Sequence, residues 1–277
     1  MIEEAVCLIF DLDGTLYEDT NHFEYYANQL KDRVSKENQS KFEEDYQAAL
    51  ANEHPVTIGK VFDIKYDSIL TVDPFTNCVI QAEEWSGREV TEFERKKRYS
   101  DEIKYDFESM IAIGDGWWIP FSIAIHYGVS LVSAYQCYVL TKEYMVSEHF
   151  RMSKTPRLKD CLKGWKEDKV LILMTNSEEY DVQNILQRLG LRNIFHEIIS
   201  SAEKPGRTLE HFQNIMGKYR LRPDQVISIG DNFMNEIAPA LKLGMKGICI
   251  QPVHGLDQYS GLKVVGSLKE ITMILSN

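Results

Sequence analysis

Cysteine is sparse in this 277-residue chain. Cys7, Cys78, Cys137, Cys161 and Cys249 are scattered and odd in number, with no Cys-x-x-Cys pair and no histidine at zinc-ligand spacing. That excludes a disulfide framework and a Cys/His zinc site, and leaves the thiols reduced and structural. Positive charge is also short. Lys and Arg total 31 against 42 Asp and Glu, a net charge of −11, which repels a polyanion and excludes general nucleic-acid binding. A small anion can still bind a local positive site. A secretory leader is not expected either, because MIEEAVCLIF carries acids where such a leader carries positive charge; the expected location is cytoplasmic. Internal repeats and low-complexity tracts are missing, which excludes a solenoid. A long uncharged run occurs at Pro120 to Leu140, but His126, Gly128, Gln136 and several serines and tyrosines make it a poor bilayer span. It predicts a buried helix and no membrane partner.

What is present is a soluble globular composition, 44% apolar and 26% charged, in a chain long enough for one large domain or two ordinary ones. The C-terminal part alternates strand and helix signals. KVLILM from Lys169, IFHEII from Ile194, VISI from Val226 and GICI from Gly247 read as strands. Helical patterns over Ser177 to Leu189, Arg207 to Tyr219 and Met234 to Leu243 separate them. This alternation predicts an α/β fold with a Rossmann-like, doubly wound parallel sheet, joined by the apolar strand that ends at Phe10. Residues 1–16 and 156–277 would form this core. Residues 17–155 have a different texture, charged helical stretches with little strand signal, and predict an inserted, mostly α-helical domain.

Chemistry-bearing residues follow four of the predicted strands. Asp11 and Asp13 lie in AVCLIFDLDGTL, where an apolar strand runs into a glycine turn. Asp and Gly favour such turns for local reasons, yet two carboxylates at a strand's carboxyl end also stand where open α/β sheets bind ligands. Thr175, Asn176 and Ser177 follow KVLILM and precede a helix start, which is an anion site or, for Ser177, an ordinary N-cap. Lys204 follows IFHEII and precedes Pro205, which biases it to extended backbone. Asp231 and Glu236 in GDNFMNE are close enough across one loop to hold a hard cation. Independent turn chemistry would rarely give that order.

With DLDGT, LMTN, Lys204 before Pro205, and GDNFMNE, the chain resembles the haloacid dehalogenase superfamily. The resemblance implies a helical cap of the first class inserted after the first motif, and a magnesium-dependent phosphatase working through an aspartyl-phosphate. Asp11 would be the nucleophile and Asp13 the general acid and base. Thr175 and Lys204 would bind the phosphoryl group, as would the loop residues Gly14, Thr15 and Asn176. Asp11, Asp13, Asp231 and Glu236 would surround the Mg2+. Glu236 departs from the commoner Asp, so water or Asn235 is an alternative route to the metal. Partners reduce to a small phosphorylated metabolite, and the oligomeric state is unreadable.

Three rivals within the superfamily follow from the same motifs. Asp13 argues against a dehalogenase, which needs no leaving-group proton. A phosphonatase would need a cap lysine that nothing in the sequence singles out. A phosphomutase or other phosphotransferase, and a non-catalytic binding or regulatory protein on the same fold, stand as alternatives. Ile113-Gly114-Asp115-Gly116 imitates the last motif but has Pro120 five residues after Asp115, so Asp115 reads as a residue of the insert. Trp117 and Trp118 read as packing residues, and Arg95-Lys96-Lys97-Arg98 as a solvated helix face.

Overall fold

Four consecutive apolar residues with no alternation need cover on both sides, and Cys7–Phe10 (β1) is buried along its whole length. The computed structural model describes residues 1–250, 256 and 259–274. Two compact units emerge: Met1–Asp19 with Glu148–Asn277, and Thr20–Ser147.

The inserted unit contains α1 (Asn21–Lys31), α2 (Gln39–Leu50), β2 (Val61–Asp63), β3 (Ser68–Val72), β4 (Val79–Glu84), α3 (Glu92–Arg98), β5 (Met110–Ala112), α4 (Trp118–His126) and α5 (Leu131–Val146). Helices dominate, but β2 to β5 form an antiparallel sheet in the order β4-β3-β2-β5, where the sequence suggested little strand. Two of these strands have three residues, too few for a period to show. Asp63 adds a misleading charge: it is fully buried in β2, where its carboxylate accepts from the Tyr99 hydroxyl at 2.7 Å and from Lys65 N–H at 2.9 Å.

The uncharged run expected to be one buried helix is two. Gly128 takes φ +87° after α4, and Ser130 opens α5 by accepting from Ser133 N–H at 3.2 Å. α4 is buried from Ile119 to Ala124, whereas α5 leaves Val132 and Val139 exposed. No described helix is long and apolar enough to cross a membrane. Trp117 packs among His22, Phe23, Tyr26 and Tyr138, and Trp118 against Phe107 and Phe121. Asp115 follows β5 and accepts from Trp117 N–H at 2.9 Å. In α3, Lys96 pairs with Glu92 at 2.6 Å, and Arg98 lies over the Tyr66 ring.

The core unit continues with α6 (Leu158–Lys166), β6 (Val170–Met174), α7 (Glu179–Leu189), β7 (Glu197–Ile199), α8 (Thr208–Tyr219), β8 (Val226–Gly230), a π-helical turn Phe233–Ile237, α9 (Ala238–Lys242), β9 (Lys246–Ile250), β10 (Leu262–Val265) and α10 (Leu268–Ile274). Six parallel strands run in the order β10-β9-β8-β1-β6-β7. The winding reverses at β1, the switch point beside which open sheets bind ligands at their carboxyl ends. Register does the rest. Phe10 lies abreast of Leu173 on one side and Ile229 on the other, so the segments after β1, β6 and β8 leave the sheet at one level.

Candidate active site

Asp11 is the first residue beyond β1, and its N–H still donates to Ile229 C=O at 2.9 Å, so the sheet's own ladder fixes its backbone. Its Oδ1 accepts from Lys204 Nζ at 2.6 Å. The same ammonium donates to Glu236 Oε1 at 2.5 Å. Asp11, Lys204 and Glu236 are respectively 7%, 2% and 2% exposed, so two carboxylates share one cation almost out of water. Burial pushes the Asp11 carboxyl up, Lys204 opposes the rise, and Asp13 adds to it. Glu236 is likewise pushed up by burial, to about 8, against the pull of Lys204. Burial alone would lower the Lys204 ammonium, but Asp11 and Glu236 outweigh it and hold it above its usual range.

Asp13 is held from two sides. Ser177 Oγ donates to its Oδ2 at 2.8 Å, and the Tyr17 hydroxyl donates to its Oδ1. The N-cap of α7 is Glu178, one residue after Ser177. Thr175 is 2% exposed, and its Oγ1 accepts from Ser177 N–H at 3.1 Å, which orients the hydroxyl. Asn176, expected at the substrate, instead clamps the lysine: its Oδ1 accepts from Lys204 N–H at 2.8 Å and its Nδ2 donates to Lys204 C=O at 3.0 Å. The peptide bond from Lys204 to Pro205 is cis. Sequence reasoning passed over Tyr17 and the Asp13 role of Ser177; a tyrosine four residues after Asp13 is the one signal for the former.

Gly14 has φ +74°, and a Cβ there would lie 2.1 Å from Asp231 Oδ2. Only glycine lets the Asp231 carboxylate come this close to the β1 loop. Gly14→Ala is accordingly expected to lower stability by about 1–3 kcal/mol, from strain and displacement of Asp231. Chemical denaturation measures this, and an unchanged unfolding midpoint would show that the contact is not needed.

No group of three or more His, Cys, Asp or Glu among the described residues is arranged to hold a metal ion. The individual donors nonetheless suit a hard cation. Asp11 and Asp231 offer carboxylate oxygens, and Asn235 Oδ1 is buried without a hydrogen-bond partner, as is Thr15 Oγ1. Glu236, expected as a ligand, has both oxygens engaged by protein donors, Oε1 by Lys204 and Oε2 by Asn232 N–H at 3.1 Å.

A parallel sheet wound about β1 carries a carboxylate, an ammonium and a second acid at its switch point. The family model for haloacid dehalogenase-like hydrolases matches residues 125–250, a little under half of the chain. Among solved structures it is similar to YfnB of Bacillus subtilis, described as a HAD-hydrolase and bound to magnesium, with TM-score 0.54, 13% identity and 99% of each chain covered. It is also similar to a dehalogenase, with TM-score 0.50, 14% identity and all of both chains covered. A 2-haloacid dehalogenase from Pseudomonas syringae aligns over 98% of each chain at 15% identity, with TM-score 0.46. No curated protein sequence matches the chain significantly.

Proposed function

We propose that this protein is a magnesium-dependent phosphatase that hydrolyses a small phosphorylated metabolite, in the cytoplasm, through an aspartyl-phosphate on Asp11. The observation that carries this reading is the buried Lys204 ammonium 2.6 Å from Asp11 Oδ1, with a second acid, Asp13, two residues along the chain. Lys204 favours the ionised form of the nucleophile against its burial and can attract a phosphoryl oxygen. Asp11 attacks phosphorus in line, and the bond from phosphorus to the leaving oxygen breaks as Asp13 gives that oxygen its proton. Water then attacks phosphorus, its proton goes to Asp13, and the bond to Asp11 breaks. Inorganic phosphate leaves, Asp11 is again a carboxylate and Asp13 is again protonated. Thr175 Oγ–H and Lys204 steady the equatorial oxygens as charge redistributes.

Asp11 and Asp231 would hold the magnesium, since both Asp13 oxygens already accept from Ser177 and Tyr17. When bound, the ion supplies positive charge that offsets repulsion between a phosphate dianion and the surrounding acids. The expected result is phosphate release from p-nitrophenyl phosphate that stops with a chelator and returns with added Mg2+. Release of halide from a haloacid with no phosphate from any ester would contradict the reading, and phosphate retained on a rearranged sugar product would point to a phosphomutase.

A further inference from the structure

Glu236 occupies the position where the superfamily resemblance suggested a metal ligand, yet its contacts suit a different task. It sits in the π-helical turn Phe233–Ile237, a distortion frequent at functional sites. Its side chain folds back over the end of β8: a Cβ on Gly230 would lie 2.7 Å from Glu236 Cγ and 2.8 Å from its Oε2. From there the carboxylate bridges two donors, Asn232 N–H at 3.1 Å and Lys204 Nζ at 2.5 Å. Asn232 is itself anchored, because its Oδ1 accepts from Met234 and Asn235 N–H at 3.0 and 3.1 Å.

The lysine is thus gripped at both ends. Asn176 fixes its backbone through two hydrogen bonds, Glu236 fixes its ammonium, and the remaining contact of that ammonium is to Asp11. We infer that Glu236 is a positioning residue that holds Lys204 on Asp11, and that it does not ligate the metal. The extra methylene relative to Asp is what lets one carboxylate span from the Asn232 backbone to the ammonium. An aspartate would have to give up one of the two.

This inference rests on the phosphatase reading for its kinetic consequence but not for its binding consequence. Two variants separate the roles. If Glu236 positions Lys204, Glu236→Gln and Glu236→Asp each lower kcat about tenfold or more, while KM and the Mg2+ dissociation constant, measured by calorimetry without substrate, change less than about threefold. Asp231→Asn, measured alongside, loses Mg2+ binding. If Glu236 ligates the metal, Glu236→Gln weakens Mg2+ binding by a factor of ten or more and Glu236→Asp keeps wild-type kcat; either result overturns the inference. Should Glu236→Gln fail to fold, Glu236→Asp carries both readouts. A wild type that binds Mg2+ through Asp231 but releases no phosphate would sink the phosphatase reading alone, with the calorimetry of the Glu236 variants still deciding where Glu236 acts.

Discussion

Asp11→Asn is expected to reduce phosphate release by about three orders of magnitude or more while leaving the fold intact, because it removes the attacking oxygen's charge and keeps its shape. The variant also tests how the buried triad is balanced. Wild-type Lys204 stands between two carboxylates; in the variant it faces one ionised partner and one amide, whose oxygen can still accept from Nζ. One buried negative charge disappears and none is orphaned, so thermal stability should hold or rise. A soluble, cooperatively unfolding variant with no turnover is the predicted combination. Retained turnover would exclude Asp11 as nucleophile. A collapse of stability would mean that the Asp11 charge is structural.

The opposite expectation holds for Lys204→Met. Removing the cation leaves Asp11 and Glu236 facing each other in a site with almost no solvent, and breaking a buried ion pair from one side costs about 3–5 kcal/mol. Activity should vanish together with stability. The pH dependence gives a sharper signature. Burial raises both carboxyls in the folded state above their unfolded values, so their protonated forms favour the fold. The stability they contribute is fully present below the unfolded pKa and is lost as pH rises through the folded one. For wild-type Glu236 that window runs from 4.5 to about 8. Without Lys204 the largest pull against the rise is lost, and only backbone N–H groups still oppose it, so the gap between variant and wild type should be widest above neutrality and should narrow towards pH 4–5. Unfolding midpoints measured across this range check it, and a gap that stays constant with pH would contradict the unpaired-charge explanation.

Much of the core was legible because its strands are buried on both faces and therefore read as unbroken apolar runs: CLIF, VLILM and VISI need no context to be seen. Chemistry at their ends was visible for the same reason, since a carboxylate or lysine at the edge of such a run stands out. Asp11, Lys204 and Glu236 come from segments far apart in sequence and meet within hydrogen-bonding distance. Partnership was harder to read than position. Asn176 looked like a substrate ligand and serves as a clamp on Lys204, while Ser177 looked like a helix cap and steadies Asp13. Those roles depend on which loops face each other across strand register, a long-range property that residue type does not encode. The inserted unit was the least legible part. Its strands β2 and β5 have three residues each, and β2 and β4 carry Asp63, Glu83 and Glu84, so neither period nor apolar run marks those three. β10 escaped notice as well, being four residues long with a lysine in its middle. The uncharged run from Pro120 hid a helix break because a single Gly128 was enough to make it.

The most direct test of the central claim is to quench the protein in acid during turnover of a radiolabelled phosphomonoester and to map the protein-bound label. An aspartyl-phosphate on Asp11 should survive acid, be released by hydroxylamine, and be missing from Asp11→Asn. Rapid phosphate release with no label on the Asp11 peptide, or with the label on another side chain, would contradict it.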